Sequence, residues 1–457
     1  MKFRDLRSFL TALETSGELV RVSAELSPQY EIAAAIKAIA RKQGKAVLLD
    51  NVKGYPVPII GNLLGSTRRL AMALDIAEKD LPAAYLEGRK NPVTPKVIAG
   101  GPVQEIVADS AIDILGTIPV LTHHQKDAGP YLTCAFVVAK DPISGVRGLG
   151  IHRIQVKSRD MVGIFLASPP LSDFLARAEE RDKPLAIAIV VGADPITYFA
   201  SPQLAPPGMD KYELAGGLAK SPIELVKCKS VAVEVPAHAE FVLEGYVLPR
   251  RREEEGPFGE STGYYLTYQN PVAKIKVITH RRNPIYHALV PFSGEERVLQ
   301  FPRFQIEPLD WLRAISPSVR QVHCPTFGVI YVQIEKQTDA DAAVVIEALF
   351  SRSGVPYSKI VVVVDTDVDI LNPDEIVWAL ATRVRPDKDL LIQPDLPGLV
   401  IDPSASISQE AAEPYRLRAR TAKLGIDATK PLAERDKYEK VDVPLPVKQR
   451  VNRILGI

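Results

Sequence analysis

A chain of 457 residues with 46% hydrophobic residues and a formal net charge of +1 is too long for one ordinary core, so two or three domains are expected. The balanced charge excludes a general nucleic-acid binder, which carries a strong basic excess. The three cysteines, Cys134, Cys228 and Cys324, lie far apart and form neither a metal motif nor a disulfide framework, which fits a reducing, cytoplasmic setting. The N-terminus is charged where a signal peptide needs an apolar run, and no apolar run reaches membrane-spanning length. Many prolines (38) and few methionines (4) hint at a thermophile.

In chain order, Phe3, Leu6, Phe9, Leu10 and Leu13 have helical spacing over residues 3–16, with Gly17 as a stop. Leu19–Val22 reads as a strand, Tyr30–Arg41 as a helix, Ala46–Leu49 as a strand, and Val57–Ile60 with a helix near Arg68–Leu74 continues a mixed α/β unit to about residue 112. From Ile118 to about residue 300 short apolar runs alternate with Gly, Pro and Asp turns. Ala135–Val138, Ile164–Leu166, Leu185–Val191 and Val231–Val235 are such runs, and Asp173–Glu180 is a helix. This spacing predicts a sheet-rich, barrel-like middle domain. From Phe327 the order becomes strand (Val329–Ile334), helix (Asp339–Phe350), strand (Ile360–Val364), helix (Pro373–Val384), an α/β pattern. A basic tail follows Pro403 and ends in the helix-like Pro446–Leu455.

The most distinctive stretch is Glu253-Glu254-Glu255-Gly256-Pro257-Phe258-Gly259-Glu260 followed by Ser261-Thr262-Gly263-Tyr264-Tyr265, with Arg250, Arg251 and Arg252 before it. Its glycines and proline predict a tight loop between strands. Glu255 and Glu260, held by a stiff backbone, suit general acid/base chemistry, although a charged hairpin is also an ordinary solvated turn. Gly259-Glu260-Ser261-Thr262-Gly263 matches a nucleophile elbow, but a strand-like run follows it where the elbow needs a helix. There is no GxGxxG, Walker loop, HExxH or CxxC pair. His123-His124 reads as ordinary loop histidines. Asp365-Thr366-Asp367-Val368-Asp369 reads as an ion-paired loop, since it lacks the other ligands of a calcium loop. Gly148-Leu149-Gly150-Ile151-His152-Arg153 places glycines, which allow close approach to a flat ring or phosphate, beside an arginine able to clamp a carboxylate. Lys423, before Gly425, is a candidate phosphate contact.

Together these segments resemble the UbiD family of decarboxylases over nearly the whole chain. The carriers are Glu255–Glu260 with Thr262-Gly263-Tyr264, Gly150–Arg153, Val235–Gly245, Asp365–Asn372 and Lys423–Thr429. The resemblance implies an α/β (α+β) protein of three parts: an N-terminal α/β domain (1–112), a split β-barrel binding prenylated FMN (113–305), and a C-terminal α/β domain (306–457) whose tail assembles a homodimer or homohexamer. It implies reversible, non-oxidative decarboxylation of an α,β-unsaturated or aromatic acid, with a flavin prenyltransferase supplying the cofactor. Arg153 would clamp the substrate carboxylate, Glu255 would hold Arg153, and Glu260 would deliver the proton that replaces carbon dioxide. Thr133 and Gly150, Ile151, His152 and Arg153 would line the cofactor, with Lys423 near its phosphate.

The family's divalent metal, manganese, is held at that phosphate by Asn, His and Glu. The corresponding positions read Gly148, Ser168 and Lys211, and no histidine lies between Arg153 and His238. The expectation is that the Lys211 ammonium meets the phosphate where the metal would sit. The alternatives are Glu213 swinging in as a ligand, or a degenerate paralogue. The substrate expectation is trans-anhydromevalonate 5-phosphate of isoprenoid synthesis, with Arg250–Arg252 meeting its phosphate. A 4-hydroxybenzoate or polyprenyl-hydroxybenzoate type of acid, or a non-catalytic flavin-binding protein, are the rivals.

Overall fold

The structure, a computed structural model, describes residues 1–206, 208–352, 358–409 and 417–456. The chain forms two compact units, Met1–Glu307 with Pro397–Thr421, and Pro308–Leu396 with Ala422–Ile457. Among the described residues no helix is long and apolar enough to cross a membrane.

The first unit opens on the predicted helix, Leu6–Thr15, which buries Leu6, Phe9, Leu10 and Leu13 and is capped by Asp5 accepting from the Ser8 amide. Leu19–Val22 pairs in parallel with Ala46–Leu49, joined by the helix Glu31–Gln43. Tyr286–Ala288, far along the chain, returns to pair in parallel with Ile59–Gly61 and completes this four-stranded sheet. A helix that the sequence reading did not include, Leu81–Lys90, packs on Lys211–Ala219. Gly88 and Gly217 are the close contact, where a Cβ on Gly217 would run into the Gly88 carbonyl.

The nine-stranded middle sheet runs in the order Tyr131–Leu132, Ile154–Val156, Met161–Ile164, Tyr265–His280, Phe241–Gly259, Leu185–Val191, Ala135–Lys140, Arg147–Ile151, with Ile106–Ala108 added to Tyr265–His280. Its two edges are close in sequence. Only Thr133-Cys134 lies between Leu132 and Ala135, and only His152-Arg153 between Ile151 and Ile154. Two-residue links cannot span an open nine-stranded sheet, so the sheet curls into a half-barrel and its edges approach at these links. The middle strands are apolar on both faces, with Ile187, Ile189 and Val190 fully buried.

Three local expectations change. Residues 253–259 are not a loop. They are the end of the 19-residue strand Phe241–Gly259, and the hairpin turn lies beyond, closed by bonds from the Glu260 amide to Tyr264 O and from the Gly263 amide to Glu260 O. Gly256, at φ 116°, and Pro257 fall in a register shift between Glu255 and Phe258. A bulge there absorbs the missing donor and the positive φ without ending the ladder. The expected strand Val231–Val235 is shorter and later, Glu234–Pro236. Lys423 lies within the strand Leu417–Ala428, not before a glycine turn.

In the second unit Val329–Ile334 and Ile360–Asp365 pair in parallel, and Ile360–Val364 pairs in parallel with Leu424–Ala428. The helices Asp341–Ser351 and Pro373–Arg383 fill the connections. Asp365 and Asp367 pair with Arg383 at 3.1 and 2.8 Å, and Lys430 pairs with Asp367 at 2.8 Å, the ion-paired arrangement expected for that loop. The helix Leu445–Leu455 leaves Leu445, Ile454 and Leu455 exposed.

Candidate active site

Arg153 sits in the link where the sheet edges meet, 8% exposed. Its Nε and Nη2 donate to Glu255 Oε2 at 3.1 and 2.6 Å, and its Nη1 donates to Glu260 Oε1. The bulge between Glu255 and Phe258 and the turn after Glu260 bring the two carboxylates to one guanidinium. The rings of Phe165, Phe258 and Tyr268 stand 4.5, 5.0 and 5.8 Å from the Arg153 carbon, so the cation is held in place and shielded from water. Asn270 Nδ2 donates to Glu255 Oε2 at 2.7 Å. The Ser261 amide donates to Glu260 Oε2 at 3.2 Å, and the Ser261 hydroxyl donates to Glu296 at 2.7 Å. Burial and the neighbouring Glu255 charge push the Tyr131 phenol up. Thr262 Oγ1 and Tyr268 OH donate to the carbonyls of Ile401 and Val400, tying these two residues to the hairpin.

Thr133 lies in the other link. Its hydroxyl donates to Leu289 O and accepts from His123 Nε2. His123 Nδ1 is then a buried acceptor with no partner, as is Gln155 Oε1. Burial holds His123 neutral, at about 3. Asp127 accepts from the amides of His123, His124 and Gly259, at 3.1, 2.8 and 2.9 Å, and fastens this segment to the strand Phe241–Gly259.

At the next group of residues His152 Nδ1 donates to Phe165 O at 2.8 Å, and burial lowers the ring to about 4, so Nε2 is a free acceptor. A Cβ built on Gly150 would meet His152 Nε2 at 3.1 Å and Lys211 Nζ at 3.9 Å. Lys211 Nζ donates to Ser201 O at 2.8 Å. Burial, then the charge of Arg303, pulls the Lys211 ammonium down to about 7. A cavity of about 440 Å³ opens here, with Gly148, Pro170, Phe174, Arg147, Arg177 and Lys211 among its lining. A side chain at position 148 has no room, because a Cβ would lie 2.7 Å from both Phe174 and Pro170. Ser168 is exposed, and its carbonyl starts the helix Leu171–Glu179. Glu213 closes the cap of its own helix by accepting from the Asp210 amide at 3.2 Å. Among the described residues no group of three or more His, Cys, Asp or Glu is arranged to hold a metal ion.

Thus Arg153, Glu255 and Glu260 are brought together, and Thr133, Gly150, Ile151, His152 and Lys211 belong to the same curled sheet or to the helix beside it. Lys423 belongs to the second unit, where its ammonium donates to Ser358 and stands 5.7 Å from the Phe350 ring. The arginines that precede Glu253 in the strand Phe241–Gly259 are engaged elsewhere. Arg252 Nη1 donates to Glu179 at 2.9 Å, Arg251 pairs with Glu253 at 2.6 Å, and Arg250 Nη2 donates to Glu179 O at 3.1 Å. Tyr131, Asp127, Asn270 and Glu296 escaped the sequence reading. Only Glu296 had a signal, the Ser293-x-x-Glu296 helix-start pattern.

The chain matches three models of the 3-octaprenyl-4-hydroxybenzoate carboxy-lyase family: the N-terminal domain over residues 10–87, the Rift-related domain over 96–294 and the C-terminal domain over 305–428. It is 35% identical to anhydromevalonate phosphate decarboxylase of Methanothermobacter thermautotrophicus, covering 95% of this chain and 99% of that protein. It is 35% identical to phenolic acid decarboxylase of Sedimentibacter hydroxybenzoicus, covering 88% and 89%. Among solved structures it superposes on the UbiD-class enzyme HmfF from Pelotomaculum thermopropionicum in complex with FMN, with a TM-score of 0.88 and 38% identity over 96% of this chain and 97% of that one. An evolved dimeric form of HmfF in complex with prenylated FMN matches at 0.84 and 37%, with the same coverage. With all three domain models in order and relatives matched almost end to end, the chain belongs to the UbiD family of decarboxylases and is a carboxy-lyase.

Proposed function

We propose that the chain removes carbon dioxide from a small α,β-unsaturated acid with prenylated FMN as cofactor, and that the acid is trans-anhydromevalonate 5-phosphate. The observation that carries the reading is one buried guanidinium shared by two carboxylates, Glu255 and Glu260. The donor set fits the cofactor. His123 Nδ1 and Gln155 Oε1 are buried acceptors that lack donors, as the N–H edge of a flavin would supply. Thr133 and the Gly150–Arg153 backbone would line its ring. Lys211, beside Gly150, would meet its phosphate in place of a divalent metal, because position 148 has no room for a ligand and Glu213 is spent on its helix cap. When bound, the cofactor supplies the electron sink for the pair left on the substrate carbon.

The chain's own groups do the rest. Arg153 binds the substrate carboxylate with the guanidinium N–H groups not used by Glu255. Glu255, fixed by Asn270, keeps the guanidinium from turning. The carbon–carboxylate bond breaks, carbon dioxide leaves uncharged, and the electron pair stays on carbon. Glu260 gives its proton to that carbon and returns as a carboxylate to Arg153 Nη1, to be reprotonated from water. The Phe165, Phe258 and Tyr268 rings keep water from the site. These rings, and the phenolic acid decarboxylase relative, favour an aromatic acid as the second reading. The test is kcat/KM of cofactor-loaded enzyme on the phosphorylated acid and on 4-hydroxybenzoate. A preference of about 100-fold or more for the phosphorylated acid is expected, and turnover of the aromatic acid alone overturns the substrate assignment.

A further inference from the structure

A phosphorylated unsaturated acid carries charge at two ends, and Arg153 can serve only the carboxylate. The phosphate needs a second cationic subsite within reach of the Glu260 hairpin, and Arg250, Arg251 and Arg252 are engaged with Glu179 and Glu253. The hairpin has another cation beside it. A Cβ on Gly259, the residue before Glu260, would collide with the His124 ring, so His124 is packed directly on the catalytic strand. Lys37, from the helix Glu31–Gln43, reaches across to place its Nζ 2.9 Å from His124 Nε2.

This ammonium is poorly neutralised. Among the described residues no carboxylate lies within ion-pair distance of it, while Asp127 and Glu296 are near enough to be felt. Both are already committed. Asp127 accepts three backbone amides. Glu296 accepts the Ser261 hydroxyl and the amides of Phe292 and Ser293. Lys37 is half-buried, and burial lowers its affinity for the proton. Among the described residues its only close polar partner is the His124 Nε2, which accepts from the ammonium and so leaves the ring proton on Nδ1. That Nδ1 faces Asp127 Oδ2 at 3.7 Å, beyond hydrogen-bond length. A partly desolvated cation with no carboxylate at ion-pair distance is costly to keep unless an anion is taken up there. Lys126, the other cation of this segment, lies 6.0 Å over the Tyr265 ring on an exposed residue and has no such strain to relieve.

We propose that Lys37 and His124 form the anion subsite that takes the phosphate of the substrate, on the Gly259 side of the Glu260 hairpin. The inference rests on the decarboxylase reading above for the identity of the ligand. The subsite would set the choice between phosphorylated and unphosphorylated acids, with Arg153 aligning the carboxylate in either case.

The test compares cofactor-loaded wild type, Lys37→Gln and Lys37→Arg on the phosphorylated acid and its dephosphorylated counterpart. For Lys37→Gln the ratio of the two kcat/KM values should fall roughly 30- to 100-fold, mostly through KM for the phosphorylated acid. Lys37→Arg should recover most of the ratio because it keeps the charge. Inorganic phosphate should compete with the phosphorylated acid in wild type and lose that competition in Lys37→Gln. An unchanged ratio, or an equal loss on both acids, overturns the subsite. If wild type turns over neither acid, calorimetric titration with the phosphorylated acid separates the two ideas. Binding that weakens in Lys37→Gln keeps the subsite and removes the decarboxylase substrate, and no binding removes both.

Discussion

Glu260→Gln should abolish turnover, with kcat falling by about 10³-fold or more while KM and cofactor loading stay within a few-fold of wild type. The size follows from the role, since a positioned general acid contributes roughly 10²–10⁴-fold. The substitution is diagnostic because glutamine keeps the size of the side chain and its one carbonyl oxygen can still accept from Arg153 Nη1, giving up only the 3.2 Å bond from the Ser261 amide to the other oxygen. The transferable proton is lost, together with the charge that faces Arg153. A fall in kcat and kcat/KM together, with binding preserved, marks an interaction used in the chemical step. Retained turnover in Glu260→Gln would move the proton donor to another residue.

Lys211→Met should weaken cofactor retention roughly 100-fold, because it removes the ammonium beside Gly150 that would face the phosphate. The pH dependence carries its own signature. Burial lowers the Lys211 ammonium from 10.5 to about 7 in the cofactor-free protein, so that protein bears the full cost of the buried charge below pH 7. Between pH 7 and 10.5 the unfolded chain binds more protons than the folded one, and cofactor-free stability rises with pH across this window. A bound phosphate dianion favours the protonated amine, so binding above pH 7 takes up a proton and weakens toward tenfold per pH unit. Calorimetric titration and thermal unfolding of wild type and Lys211→Met between pH 6 and 10 check both slopes, and the variant should show neither. Wild-type protein that holds the cofactor with one manganese per chain, and releases both to a chelator, would contradict the assignment of Lys211.

Much of the fold was legible because burial follows local periodicity. Leu6, Phe9, Leu10 and Leu13 mark one helix face, and Leu185–Val191 is an uninterrupted apolar strand. The pairing of Tyr286–Ala288 with Ile59–Gly61 was not legible, since nothing within either tripeptide names a partner more than two hundred residues away. The stretch Glu253–Glu260 shows the same division. Gly256 and Pro257 were read as loop residues because neither sits inside a regular helix without cost, yet a single bulge accommodates both in a strand and the ladder continues to Gly259. The reading of Glu255 and Glu260 as an acid/base pair came from their types and spacing, Arg153 was read separately as a candidate carboxylate clamp, and the family resemblance joined the three. Asn270, Tyr131 and Asp127 were hidden because their roles depend on register across the hairpin and on loop packing. The placement of Arg250, Arg251 and Arg252 beside a substrate phosphate failed for a similar reason. Glu179, on a helix seventy residues earlier, claims Arg250 and Arg252, and sequence proximity to the site does not predict that competition.

The most direct test of the central claim is carbon dioxide release and isotope incorporation by the cofactor-loaded protein in deuterated water. The account predicts one carbon dioxide per acid consumed and one deuterium at the carbon that lost its carboxylate, with both absent in Glu260→Gln. Protein that binds the cofactor fully but releases no carbon dioxide from either the phosphorylated or the aromatic acid would contradict it.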